Sequence, residues 1–121
     1  MKNLLFIIII TLIPQITNGA IGVLSLDSTF ECISVRIITE KTDYAETDLI
    51  MEFRKAGSQL WTAGHPLTKI HFQDNRFIGS IFELEPETRY DIRVKENNCN
   101  DDSCQTIASI PTKSETFPTG S

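Results

Sequence analysis

The sequence predicts an all-β, Greek-key β-sandwich of about seven strands. Three observations predict this fold class. Short segments of alternating apolar and polar residues recur along the chain, turn-forming residues separate them, and no segment after the first twenty residues has the apolar period of a helix. Strands of this kind pack as two sheets around one core. The 121 residues are enough for a single such domain.

The N-terminal segment, residues 1–19, has the pattern of a cleaved signal peptide. Lys2 supplies a positive charge, residues 4–12 form an apolar run, and small residues follow it, so we expect cleavage after Gly19 or Ala20. The apolar run is shorter than the roughly 20 residues that span a bilayer, and no second run follows. The sequence therefore predicts a secreted chain whose mature part has no membrane span.

The mature part is predicted to be one domain, residues 20–112, followed by a linker or tail at residues 113–121. It carries ten basic and sixteen acidic residues, and its net charge is about −6 with His neutral. An acidic surface of this kind does not attract phosphate-rich polymers. We therefore expect neither nucleic acid nor an anionic membrane surface as a partner.

Seven segments are predicted to form strands, and they lie at residues 21–26, 30–38, 48–55, 67–72, 77–82, 88–95 and 104–110. The first strand is expected at a sheet edge. The fourth is expected to be a weak strand or an irregular crossing between the sheets. In the second strand, alternation predicts that Ile33, Val35 and Ile37 point into the core.

Residues 84–94 are expected to form a corner between two strands. Pro86 interrupts the strand pattern and Tyr90 opens the next strand. A Tyr in this position can bury its ring and direct its hydroxyl to an upstream backbone group, an arrangement called the tyrosine corner. We assign the corner to Leu84, Pro86, Thr88 and Tyr90.

With Ile92 and Val94, the corner residues resemble the same corner in fibronectin type III domains. The resemblance covers residues 21–112 and implies an immunoglobulin-like sandwich. The chain departs from the family pattern at Ile37, which stands where many members carry a Trp in the second strand.

A narrower resemblance concerns residues 52–57, Trp61, Leu67, residues 77–81 and residues 84–90. Together they are similar to the N-terminal module of exported right-handed parallel β-helix proteins, whose repeat domain resembles polysaccharide lyases. The resemblance implies a non-catalytic accessory module, with a carbohydrate-active β-helix domain as a C-terminal partner. None of the lyase groove residues occurs in this sequence, and we expect the chain not to be an enzyme.

Trp61 and Tyr44 are the candidate binding residues. Aromatic rings stack on sugars and anchor protein interfaces. An exposed Trp61 beside Tyr44 would therefore bind a polysaccharide or a protein, which is the second functional hypothesis for this chain. In the alternative, Trp61 covers the edge of the core.

Three cysteines remain in the mature part. Cys99 and Cys104 flank a turn-rich stretch after a strand, so we expect them to form a disulfide, which an exported protein permits. Cys32 is then left over. In the alternative, all three are free thiols.

No metal or cofactor is expected. His65 and His71 match no zinc-ligand spacing, and both are expected at the surface or in local packing. Residues 98–102 carry two Asn and two Asp side chains whose oxygens could bind calcium. The same residues also form exposed turns through hydrogen bonds from side chain to backbone.

Overall fold

The computed structural model describes residues 15–70 and 75–114, which form a β-sandwich. The described residues contain nine strands: β1 Gln15–Asn18, β2 Gly22–Ser28, β3 Ile33–Thr39, β4 Leu49–Lys55, β5 Thr62–Ala63, β6 Thr68–Lys69, β7 Arg76–Ile81, β8 Arg89–Glu96 and β9 Gln105–Pro111. The first sheet has the order β1-β2-β3-β7-β6, and the second sheet has the order β5-β4-β8-β9. All paired strands are antiparallel. Within the described ranges, no helix is long and apolar enough to cross a membrane.

All seven predicted strands have a counterpart, namely β2, β3, β4, β6, β7, β8 and β9. The predicted crossing is also confirmed, because the chain leaves the second sheet after β5 and enters the first sheet at β6. Part of the fourth predicted strand, residues 71–74, lies outside the described residues. The two-residue strand β5 was not predicted, since two residues carry no alternation.

The first predicted strand is not at a sheet edge, and that prediction is wrong. Strand β1 pairs with β2 on its outer side, so β2 lies inside the first sheet. Residues 15–18 belong to the predicted signal peptide, and residues 1–14 lie outside the described part. Because Ile16 in β1 is 61% exposed, this strand buries little apolar surface and leaves a weak sequence signal.

The core lies between the two sheets and follows the alternation of the strands. Ile33, Val35 and Ile37 are buried, which confirms their predicted direction. Ile92 and Val94 meet them from the second sheet. Each of these side chains gains on the order of 2 kcal/mol from leaving water, which is the main favourable contribution to folding.

The crossing segment between β5 and β6 joins the two sheets. The N–H of Gly64 donates to the Met51 carbonyl at 2.9 Å, which anchors the segment to the second sheet. Leu67 then fills the core. Gly79 makes room for it, because a Cβ at that position would lie 2.8 Å from Leu67 Cδ2. Strand β6 is short because Pro66, which precedes it, has no N–H for the ladder to β7.

The corner between β7 and β8 is held by two buried hydroxyls. The Glu85 N–H donates to the Tyr90 hydroxyl at 3.0 Å. The Thr112 hydroxyl donates to the Glu85 carbonyl at 2.6 Å and accepts from the Thr88 N–H at 3.0 Å. Thr88 in turn donates its hydroxyl to the Pro86 carbonyl at 2.9 Å. Backbone groups that the turn leaves without ladder partners are therefore satisfied by side chains.

The corner also joins more distant parts of the chain. The N–H of buried Leu84 donates to the Glu31 carbonyl at 2.9 Å, and the Glu87 N–H donates to the Lys113 carbonyl at 3.1 Å. Lys113 itself donates its N–H to the Thr29 carbonyl at 2.9 Å. The corner, the turn between β2 and β3 and the segment after β9 therefore form one end of the sandwich.

We predict that Tyr90→Phe lowers the free energy of unfolding by about 1–3 kcal/mol, because the Glu85 N–H then lacks its acceptor while the ring is kept. Urea denaturation followed by circular dichroism measures the loss. Thr29→Ala is the matched control, since its hydroxyl lies in the exposed turn at the same end. An unchanged urea midpoint for Tyr90→Phe would contradict the prediction that this hydrogen bond stabilises the domain.

Candidate functional site

Trp61 lies on the outer face of the second sheet and contacts two arginines. It follows β4 and immediately precedes β5, and its side chain is half-buried. The guanidinium carbons of Arg54 on β4 and Arg93 on β8 each lie 4.2 Å from the centre of its ring. Both distances are well within the range of a cation–π interaction.

The pairing of β4 with β8 holds the two guanidinium groups in place. Arg54 lies directly opposite Asp91, and Glu52 lies directly opposite Arg93. Arg54 Nε donates to Asp91 Oδ2 at 3.0 Å, and an Arg93 nitrogen donates to Glu52 Oε1 at 2.7 Å. The Ser109 hydroxyl from β9 donates to the other oxygen of Asp91 at 2.6 Å. Each arginine is therefore oriented by a carboxylate on the neighbouring strand.

This arrangement limits what Trp61 can bind. A sugar that stacks on the indole ring needs a ring face, and the guanidinium groups already contact the ring. Leu60, which directly precedes Trp61 in the chain, is 82% exposed. The outer face of the second sheet thus presents part of Trp61 beside a network of paired charges.

Tyr44 lies elsewhere in the molecule. It belongs to the buried core cluster, and its hydroxyl donates to Glu96 Oε2. Burial and this hydrogen bond raise the pKa of Tyr44 above its ordinary value. The structure therefore does not bring Trp61 and Tyr44 together on one surface, because Trp61 stacks on the outer face of the sheet and Tyr44 packs inside.

The predicted disulfide between Cys99 and Cys104 is confirmed, with Cα atoms 5.8 Å apart. Cys32 is the free cysteine, as expected. Burial, and to a smaller extent the charge of Glu31, raise the pKa of the Cys32 thiol. A thiol with a raised pKa is a weak nucleophile near neutral pH.

The loop closed by the disulfide uses its polar side chains internally. Asp101 accepts hydrogen bonds from the N–H and the hydroxyl of Ser103, and these bonds lower the pKa of its carboxyl. Asp102 accepts a hydrogen bond from Gln105 at 2.9 Å. Hydrogen bonds of this kind form an exposed turn, which is the alternative to a calcium site for residues 98–102.

A surface cavity of about 390 Å³ lies beside this loop and is lined by Tyr44, Asp48, Glu96, Asn97, Asn98, Cys99, Asn100, Asp101 and Cys104. Within the described residues, Cys99, Asp101 and Cys104 bring three metal-ligating side chains together. The disulfide bonds both of the sulfur atoms, which removes them as thiolate ligands.

His65 lies in the exposed crossing segment and makes an edge contact with Phe82, whose ring centre is 6.1 Å away. His71 lies outside the described residues. Phe82 is 57% exposed and borders a groove of about 550 Å³ on the outer side of the first sheet. The sequence pattern does not single out this exposed Phe, because it directly follows β7, where the alternation ends.

The sequence analysis also missed Thr112 and the arginines. Thr112 accepts a hydrogen bond from the Thr88 N–H, although the two residues are 24 positions apart in the chain. The sequence places Arg54 and Arg93 on the solvated faces of their strands, and only the pairing of β4 with β8 brings them to one ring. A pattern of charges at every second strand position was the available signal, but such a pattern also occurs on ordinary solvated sheet faces.

Comparison with known proteins supports the fold. No known family model matches the chain, and no curated protein matches it either. The fibronectin type III domain of the human collagen alpha-1(XX) chain is similar in structure, with a TM-score of 0.56, 16% identity, and coverage of 90% of this chain and 92% of that domain. A computationally redesigned β-sandwich protein has a TM-score of 0.53 and 16% identity, and the match covers 86% of this chain and 94% of that protein. The chain therefore has the fold of a fibronectin type III-like β-sandwich.

We predict that Trp61 and Arg54 stabilise the domain together. In a cycle of Trp61→Ala, Arg54→Ala and the double variant, the expected coupling free energy is about 0.5–1 kcal/mol, because each single change removes the same cation–π contact. Circular dichroism during urea denaturation measures it without relying on the only Trp of the chain. A matched cycle with Leu60→Ala in place of Trp61→Ala should give no coupling, and equal values in the two cycles would contradict the assignment.

We predict that replacing both Cys99 and Cys104 by Ser costs about 2 kcal/mol of stability, since closing so short a loop restricts the unfolded chain only modestly. Urea denaturation with and without a reducing agent provides the measurement. Reductant should lower the wild-type midpoint to that of the double variant and leave the double variant unchanged. A Cys32→Ser chain should respond to reductant as the wild type does.

Proposed function

We propose that this chain acts outside the cell as a non-catalytic β-sandwich module that spaces and orients a partner domain. The single observation that carries this proposal is where the chain enters and leaves the sandwich. The Ile21 N–H, just before β2, donates to the Thr106 hydroxyl near the start of β9 at 3.4 Å. The Ser28 hydroxyl, at the end of β2, donates to the Pro111 carbonyl at the end of β9 at 2.8 Å. The first and last long strands therefore run side by side in the same direction.

In the mature chain that cleavage after Gly19 would leave, which begins just before β2, entry and exit consequently lie at opposite ends of the sandwich. The seven residues of β2 separate them by about 23 Å at the usual rise of a strand. The exit is also held, because Lys113 bonds to Thr29 and accepts from Glu87. A domain that follows this segment would leave a rigid end of the module in a defined direction, which is what a spacing or orienting module requires.

The partner that we propose is a carbohydrate-active β-helix domain on the C-terminal side. This finer proposal rests on the resemblance of residues 52–57 and 77–90 to the N-terminal modules of such proteins. The disulfide between Cys99 and Cys104 is consistent with a chain that functions outside the cell. We propose no enzyme activity for the module itself.

An alternative proposal is a self-contained binding or adhesion module that recognises a glycan or a protein through its loops and Trp61. The observation that favours it is that two consecutive residues of the loop before β5 leave apolar surface in water: Leu60 is 82% exposed, and Trp61 is only half-buried. Apolar and aromatic side chains grouped at a surface are typical of binding sites.

Spin labels can test the spacing proposal on the exported chain. We expect labels at Val23→Cys and Lys113→Cys, in a Cys32→Ser background, to give one narrow distance peak, because about 20 Å of strand separates entry from exit. The distance peak should stay narrow when a partner domain is attached to the C-terminal side of the module. A broad distance distribution for this label pair, with or without the partner domain, would contradict a rigid spacer.

A binding screen on the same chain separates the two proposals. The chain, its Trp61→Ala variant and its Leu60→Ala variant are titrated against acidic and neutral polysaccharides. Saturable binding that both variants lose would replace the spacing proposal by the binding proposal. Absence of binding by the folded chain would leave the spacing proposal in place.

A further inference from the structure

The bond at which the export signal is expected to be cleaved lies in a folded turn of the domain. Cleavage is expected after Gly19 or Ala20, and these residues form the turn between β1 and β2. The Gly19 N–H donates to the Gly22 carbonyl at 2.8 Å, which closes the turn. Strand β1 then pairs with β2 over four consecutive residue pairs. Residues on both sides of the bond are therefore held by backbone hydrogen bonds.

Close packing adds to these hydrogen bonds. A Cβ on Gly19 would lie 2.2 Å from Thr106 Cγ2 and 2.3 Å from Thr106 Oγ1, so the Gly19 backbone lies directly against this side chain. Thr106 is 2% exposed and Ile21 is 5% exposed. A protease needs its substrate in an accessible, extended conformation, and a folded segment reaches that conformation only when it opens locally.

From this geometry we infer that the folded precursor protects its own processing bond, so that signal cleavage has to occur before β1 docks on β2. The inference rests on the export part of the proposed function. Gly19 is the residue that permits docking, because only a residue without a side chain fits against Thr106. Docking of β1 and cleavage of the signal are therefore competing events.

The domain is able to lose β1. Three of the four β1 residues are exposed, and the fourth is only partly buried. A chain that begins at Ala20 keeps the buried Ile21 side chain and its hydrogen bond to Thr106. Cleavage consequently removes a peripheral strand and leaves the core intact.

The experiment compares two substrates of a purified signal peptidase in detergent. One is the full folded chain, and the other is a synthetic peptide of residues 1–30, which cannot form the sandwich. We expect the peptide to be cleaved after Gly19 or Ala20, and the folded chain to be cleaved at least ~30-fold more slowly, because cleavage then depends on local opening. Urea that unfolds the chain should remove the difference.

Gly19→Ala is the decisive variant. Alanine keeps the small residue that a signal peptidase requires before the bond, but its Cβ collides with Thr106 and opposes docking of β1. The ratio of the folded-chain rate to the peptide rate should rise at least ~10-fold, and taking this ratio removes any preference of the enzyme for Ala over Gly. Ala20→Ser is the matched control, since Ala20 is exposed in the same turn and the ratio should stay at the wild-type value. Circular dichroism verifies that each variant chain is folded.

Three outcomes would overturn the inference, and they are distinguishable. Equal rates for the peptide and the folded chain would remove the protection while leaving the export signal established. An unchanged ratio for Gly19→Ala would remove the role of the contact with Thr106. Failure of the peptide to be cleaved would overturn the export part of the proposed function together with the inference.

Discussion

The hydrogen bonds of the corner between β7 and β8 are the constraint on which the rest of this structure depends. Tyr90 lies in β8 and Thr112 directly follows the end of β9, and both bond to Glu85 in the turn. These bonds determine where β8 begins, and β8 is the central strand through which β4 and β9 are paired. They also fix the position of the chain after β9, so the exit from the domain is defined by the same groups that hold the corner.

Paired charges occupy the outer face of the second sheet. Arg54 and Arg93 are each bonded to a carboxylate on the facing strand and each contact the Trp61 ring. Because the ion pairs are partly exposed, each contributes little stability alone. Their effect is to hold a large aromatic ring against a polar sheet face, so that part of its apolar surface is covered without a second layer of protein.

The chain is held less firmly where it enters the sandwich than where it leaves the sandwich. At the exit, Lys113 is bonded to the end of the sandwich that the corner stabilises. At the entry, β1 is an exposed edge strand that contributes no member to the buried core. A domain that is built from its interior strands tolerates the loss of such an edge, since the core contacts and the exit geometry are unaffected.

The sequence by itself determined the features that depend on neighbouring residues. The inward direction of Ile33, Val35 and Ile37 followed from alternation, because successive side chains of a strand point to opposite faces. The disulfide followed from two cysteines that flank one turn. Only the tertiary structure decided that Tyr44 is buried, that Trp61 contacts Arg54 and Arg93, and that residues 15–18 extend the first sheet. These features depend on which strands lie side by side and in what register, and a local pattern of residues does not contain that information.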